Sequence, residues 1–168
     1  MRHLALFLCM ALSLSASAGD GITLRDVFRQ MPDSLMPTLT QNNRLDFLDF
    51  LDAGMKAEVK NRLGGISVMT ALTSDSLSLQ VSQALRIDML LLKLTEPIDT
   101  TNQVIIVGET FLVDSIYGET MLRCYTPDWH PIPIPTLSDS QHKRIEGFNL
   151  QTILKWRDKL LNKVNFKI

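Results

Sequence analysis

Two periods divide the chain. From Leu24 to Gly54 apolar residues recur at helical spacing, and from about Met55 to Asp128 they alternate with polar ones in the manner of half-buried strands. Leu24, Val27, Phe28 and Met31 form one helical stripe, with Thr23 placed to cap its first turn and Asp26 close behind. That helix must stop near Met31, because the residue before Pro32 is disfavoured in helical geometry. Asp33 or Ser34 can restart a turn that carries Leu35 and Met36 inward, and Pro37 ends it. Asn42 or Asn43 is placed to cap a further helix through Leu45, Phe47, Leu48, Phe50 and Leu51. Gly54, suited to a left-handed backbone, would close it.

Beyond Met55 the pattern predicts strands. Met55, Ala57, Val59 and Leu63 alternate with Lys56, Glu58, Lys60 and Arg62; a helix is the alternative, since Glu58 and Arg62 also make a favourable i to i+4 pair. Gly64 and Gly65 supply a tight turn, and Thr73 to Ser76 another, between strands carrying Ile66, Val68, Thr70, Leu72 and then Leu77, Leu79, Val81. Leu85, Ile87, Met89 and Leu91 are opposed by Arg86, Asp88, Leu90 and Leu92, the last half of which predicts burial on both faces. Thr95 to Asn102 is turn-rich, and Val104 to Val113 predicts one long strand with Gly108 at a bulge or bend. Tyr117 and Gly118 would turn into a last strand, with Thr120, Leu122, Cys124 and Thr126 on one side and Met121, Arg123 and Tyr125 on the other.

Short strands joined by short turns most simply make a meander. The expected fold is therefore α+β: short N-terminal helices packed on one face of an antiparallel, largely meandering β-sheet of about five to six strands, plus a C-terminal helix, the other face being wet.

The two ends of the chain differ from its middle. MRHLALFLCMALSLSASA combines a basic start, an apolar run from Leu4 to Leu14, and small residues at Ala16 and Ala18, the order of a secretory signal with cleavage after Ala18. The run is too short to span a bilayer, which takes about 20 residues. Cys9 lies inside it behind Leu8, which argues against lipid anchoring. Pro127 to Ser140 carries four prolines, which deny ladder donors and mark an extended linker. Past it, Leu150, Ile153, Leu154, Leu160 and Leu161 form a helical stripe with Lys155, Arg157 and Lys159 elsewhere on the surface. The predicted organisation is a signal over 1–18, one α+β domain over 19–130, a proline-rich linker over 131–148 and a basic amphipathic helix over 149–162.

Charge and candidate chemistry refine this picture without naming a reaction. The net charge is −1, but residues 19–140 hold 9 Lys and Arg against 16 Asp and Glu, while 141–168 hold 7 against 2. An acidic body with a basic tail suits contact between that tail and lipid headgroups or an acidic partner, and offers no footprint for nucleic acid. Asp46, Asp49 and Asp52, spaced by three, are the weak candidates for metal, since carboxylates at i and i+3 can share calcium. Three from one helix cannot enclose the ion, so a solvated helix face is the expected reading.

Cys124 is the one cysteine left after signal removal, which precludes an internal disulfide. With Asp128 and His130 it offers a thiol, a carboxylate and an imidazole, but positions six apart on an extended strand are about 20 Å distant. A small buried hydrophobe is the expected role. Trp129, where a strand meets the linker, is expected to close the end of the core. As an exposed ring it would instead anchor a partner together with Tyr125 and His130.

DVFRQMPDSLMPTLTQNNRLDFLDFLDAGMKAEV, the Gly-Gly turn, MTALTSDSLSL, RIDMLLL and the strand ending in CYTPDWHP together resemble the Bacteroidales secreted family labelled domain of unknown function 3256, over about Leu24 to Pro131. The resemblance implies an exported α+β protein with no assigned activity and no catalytic residues to carry over. The expectation is an exported, periplasmic or extracellular, non-enzymatic domain that binds a protein or envelope component, without cofactor and without a transmembrane segment once the signal is removed. The alternatives are a hydrolase using Cys124 with His130, and a calcium-stabilised structural domain.

Overall fold

The computed structural model describes residues 21–98, 100–113 and 116–133. The predicted signal, most of the predicted linker and the predicted C-terminal helix lie outside these residues. Helix α1 (Leu24–Gln30) and helix α2 (Gln41–Asp52) flank a single 3-10 turn (Asp33–Leu35). Among the described residues seven antiparallel strands follow in the sheet order of the sequence: β1 (Glu58–Lys60), β2 (Ile66–Leu72), β3 (Ser76–Ser82), β4 (Leu85–Ile98), β5 (Thr101–Val113), β6 (Ile116–Tyr125) and β7 (Pro131–Ile132). The meander is as expected, but the sheet exceeds the five to six strands predicted.

Local chemistry sets the helix ends. Thr23 and Asp26 make a reciprocal capping box, the Thr23 hydroxyl accepting from the Asp26 N–H at 3.3 Å and donating to its carboxylate at 2.5 Å. Helix α2 is capped by Thr40 with Asn43, so it starts earlier than a cap at Asn42 or Asn43 would allow. Its far end is a Schellman motif: Met55 N–H donates to the Phe50 carbonyl and Gly54 N–H to the Leu51 carbonyl, with Gly54 at φ 66°.

Strand boundaries differ from the expectation where pairing overrides turn composition. β4 continues through Thr95, Glu96 and Pro97 to Ile98, and the break in register between Lys93 and Ile98 absorbs the proline. Tyr117 and Gly118 lie within β6 rather than in a turn. Gly108 pairs in register with Asp88 and Leu122, and the irregularity in β5 falls instead between Thr110 and Leu112. The alternation from Met55 to Leu63 yields only three strand residues, with Met55 and Leu63 exposed. After β1 the chain is gathered by Asn61: its buried side chain donates to Ser67 Oγ and the Val81 carbonyl and accepts from Leu63 and Gly65 N–H.

The core has two parts. On the first face of the sheet, Leu77, Leu79, Val81, Ile87, Met89, Leu91, Ile105 and Val107 pack with Leu24, Val27, Phe28, Phe47 and Leu48 of the helices. The N-terminal helices therefore cover one face, as expected. The second face is not wet. Leu94, Ile98, Val104, Ile106, Cys124 and Ile132 form a second buried cluster, with Leu90, Leu92 and Leu122 half-buried around it. Beside it, Arg86 grips Asp88 through Nε at 3.0 Å and Nη2 at 3.0 Å, and Ser78 Oγ donates to Asp88 at 2.6 Å. All three are buried, although alternation alone places Arg86 and Asp88 opposite the core. Such a pair tolerates burial because each charge is matched and hydrogen-bonded.

Candidate interaction surface

The turn from β6 to β7 positions three of the residues considered for recognition. Trp129 N–H donates to the Thr126 carbonyl and Thr126 N–H to the His130 carbonyl, each at 2.9 Å. Trp129 sits at φ 68°, a left-handed conformation that glycine usually supplies in such hairpin loops. A bulky residue holds it because the ring is fixed elsewhere: indole Nε1 donates to the Val27 carbonyl of α1 at 3.0 Å, and the ring packs on Tyr125 with centroids 5.6 Å apart. Pro131 and Ile132, expected to begin the linker, instead extend this hairpin as β7, an edge position where proline costs no ladder bond inside the sheet.

Trp129 and Tyr125 thus belong to the first core cluster, and their faces are spent on the domain itself. His130 is exposed, its Nδ1 at 2.7 Å from Asp128 Oδ2. The Thr126 hydroxyl donates to Asp128 and, with His130 nearby, holds that carboxyl below its ordinary range. Of the three residues considered for recognition, His130 alone is exposed, beside Asp128.

Cys124 lies on the opposite side, in the second cluster. Burial pushes its thiol up to about 12, against a weaker opposing hydrogen bond at Tyr125. His130 is held by Asp128 on the surface, so among the described residues the thiol and this imidazole are not brought together.

Asp46, Asp49 and Asp52 are exposed along α2. Asp52 is ion-paired with Arg25 of α1, which ties the two helices together. Among the described residues no three His, Cys, Asp or Glu side chains are grouped closely enough to hold a metal ion. The charged residue of α2 that sequence reasoning missed is Arg44. It is buried, with Nη1 donating to the Leu39 carbonyl at 3.0 Å and Nη2 to Asp33 at 2.8 Å and to the Met31 carbonyl. Its one detectable signal is its place among Leu45, Phe47 and Leu48 on a largely apolar helix, and spacing alone cannot tell such a residue from a solvated one.

Two open grooves lie where the chain enters α1. One of about 600 Å³ runs between Asp26, Gln30, Asn102 and Asp128, and one of about 730 Å³ between Thr23, Asp75, Leu91 and Lys93. Gly21 and Gln103 border both, and the carboxyl of Asp26 is held low chiefly by its bond from the Thr23 hydroxyl.

Among the described residues Ile22, Met55, Leu63 and Ile66 are exposed apolar side chains in separate parts of the chain, and further ones lie on the first face of the sheet at its far end. Along β5 exposure climbs from Ile105 at 0% and Val107 at 4% to Phe111 at 43%, and on β6 it climbs from Tyr125 at 6% to Met121 at 42%. Phe111 stands opposite Leu85 and Met121 opposite Glu109, which puts both on the face of Ile87 and Met89. Val113 at the strand end is also exposed, and Arg123 Nη1 reaches Glu109 at 3.0 Å beside the pair. Phe111 and Met121 are thus both exposed on the first face, with the Glu109–Arg123 ion pair on the same two strands.

The family of proteins of unknown function designated DUF3256 matches residues 16–161, a wider span than the resemblance read from Leu24 to Pro131. No curated protein matches the chain. A solved structure, of a domain of an uncharacterized protein from Porphyromonas gingivalis W83, is similar with a TM-score of 0.53 and 23% identity, over 67% of this chain and 55% of that one. The likeness supports the fold, and the chain spans little more than half of that neighbour. With a match across most of its length, the chain belongs to the family of proteins of unknown function DUF3256.

Proposed function

We propose that this protein is an exported, non-enzymatic domain that binds a protein or envelope component through the uncovered end of its first sheet face. The observation that carries the reading is the exposure of Phe111 and Met121 on a face that is otherwise sealed by α1 and α2. Contiguous apolar surface rimmed by polar groups is where soluble domains meet partners. The burial of Trp129 and Tyr125 shifts the proposed recognition surface away from the β6 to β7 edge. Export rests on the sequence of residues 1–18, and the periplasm or cell exterior is the compartment it implies. The raised, buried thiol of Cys124 weighs against the hydrolase alternative, and the Arg25 partner of Asp52 weighs against calcium on α2.

A photo-crosslinking residue placed at Phe111 in the full chain, expressed in a bacterium that carries the family, tests the surface. The same residue at exposed Asn102 is the control. The reading expects a discrete adduct from position 111, absent from position 102 and lost when Met121→Asp is added. Equal adducts at both positions, or an adduct indifferent to Met121→Asp, would contradict it.

A further inference from the structure

We infer that the surface at Phe111 and Met121 takes a partner segment in which a cationic side chain stands beside an apolar one, with Glu119 receiving the cation. This rests on the reading of that surface as a recognition site, and it names the chemistry the site selects. The pairing of β5 with β6 slips between Thr110, opposite Thr120, and Leu112, opposite Tyr117, so Gly118 and Glu119 together stand opposite the single residue Phe111. A bulge of this kind re-aims the side chains of its strand. Glycine suits its first position, since a Cβ on Gly118 would come to 3.1 Å from the Phe111 carbonyl oxygen.

Strand alternation then puts Glu119, which is exposed, on the face of Met121 two residues further on. Met121 opposes Glu109, so Phe111, two residues past Glu109, is its diagonal neighbour and within reach of a long side chain. Phe111, Met121 and Glu119 therefore share one surface, and its charges do not balance. Arg123 Nη1 holds Glu109 at 3.0 Å, whereas among the described residues no ion pair engages Glu119. One carboxylate is left over beside an exposed ring. Such a pair attracts an ammonium or guanidinium group, by charge toward Glu119 and by the quadrupole of the Phe111 face.

Area decides what carries that cation. At 43% and 42% exposure, Phe111 and Met121 together offer less than about 200 Å² of side chain. A stable dimer needs about 800 Å² on each partner, so a second copy of this chain is a poor occupant. A short segment of an envelope protein matches the surface in size and in sign, with one apolar side chain on Phe111 and Met121 and a lysine or arginine on Glu119. Asp26 and Asp128 make no comparable offer, because Thr23 already holds the one, and Thr126 with His130 the other.

The methyl resonance of Met121 in the full chain reads the site directly, titrated with the capped pentapeptides Ala-Lys-Leu-Lys-Ala and Ala-Glu-Leu-Glu-Ala. The lysine peptide is expected to shift Met121 and to bind at least about fivefold more tightly than the glutamate peptide, since an exposed ion pair and a cation over a ring each contribute a small factor. Glu119→Lys should abolish that preference. Asp46→Lys, at an exposed carboxylate of α2, should leave it in place. No shift of Met121 by either peptide, equal binding of the two, or the same loss from Asp46→Lys would overturn the assignment. An equal shift by both peptides would leave the apolar surface standing without its charge preference, whereas failure of the adduct from position 111 would remove the surface and its ligand together.

Discussion

Trp129 shows how one side chain can fix both a turn and a layer. Its ring fills the end of the first core, its indole N–H bonds the Val27 carbonyl of α1 on that same face, and its backbone takes a strained left-handed conformation to do so. Trp129→Phe keeps most of the burial and loses the bond to Val27, at an expected cost of about 1 to 2 kcal/mol in urea unfolding. Trp129→Ala should cost about 3 to 5 kcal/mol. Trp129→Gly, which relieves the backbone, should still be destabilising; a gain in stability would show that strain outweighs packing here. Arg44 is the second such residue. Arg44→Met leaves the Met31 and Leu39 carbonyls without their donor and should cost about 3 kcal/mol, measured in the same way.

The titrations that depart from ordinary values have opposite signs. Asp26 and Asp128 are held low by hydroxyl donors, so their contributions are complete above the usual carboxylate range and are lost as pH falls through their depressed folded values. Fraying of the α1 cap and of the turn at Thr126 is therefore expected only below about pH 4, as a loss of amide protection at Asp26 and His130. Cys124 is held high by burial, so its contribution is complete up to the pKa of an unfolded thiol and is lost as pH rises toward about 12. At pH 8 it should react with a maleimide far more slowly than free cysteine. A rate equal to that of the free thiol would place Cys124 in contact with solvent.

At the scale of elements, sequence reading succeeded where a local rule decides and failed where pairing does. Thr23 with Asp26, Pro32 after Met31, and Gly54 past α2 are short-range devices, and each sits where its residue type placed it. Gly54 has open space around it, so Gly54→Ala should cost only the left-handed backbone, about 1 kcal/mol, as a drop in melting free energy of the full chain. Thr95 to Asn102 misled because its turn residues are overridden by ladder bonds from Lys93 to Gln103 and from Ile98 to Thr101. Gly118 misled for the same reason: it lies in β6, close under the Phe111 carbonyl, where a Cβ would come to 3.1 Å. The seventh strand was hidden in a run of prolines, since an edge strand of two residues needs almost no ladder donors.

At the scale of the whole molecule, the unexpected feature is a sheet buried on both faces. A meander with one helical layer predicts a wet second face, and Leu90 with Leu92 hinted otherwise. Arg86 and Asp88 concealed the burial, because alternation counts charges as exposed and cannot see that they satisfy each other with Ser78. The candidate surface was equally illegible. Phe111 and Met121 sit on strands with ordinary alternation, and nothing in that alternation marks them as exposed. The residues that stood out in the sequence, Trp129 and Tyr125, are the ones the fold consumes.

The central claim is that the uncovered end of the first face is the recognition surface. Hydrogen exchange of the full chain, with and without detergent-solubilised envelope from a bacterium that carries the family, tests it most directly. The account predicts added protection in Glu109–Val113 and Gly118–Arg123, with no change in Thr126–His130 beyond a few neighbouring amides. Protection confined to Thr126–His130 and the groove beside Asp26, or spread evenly over the sheet, would contradict it.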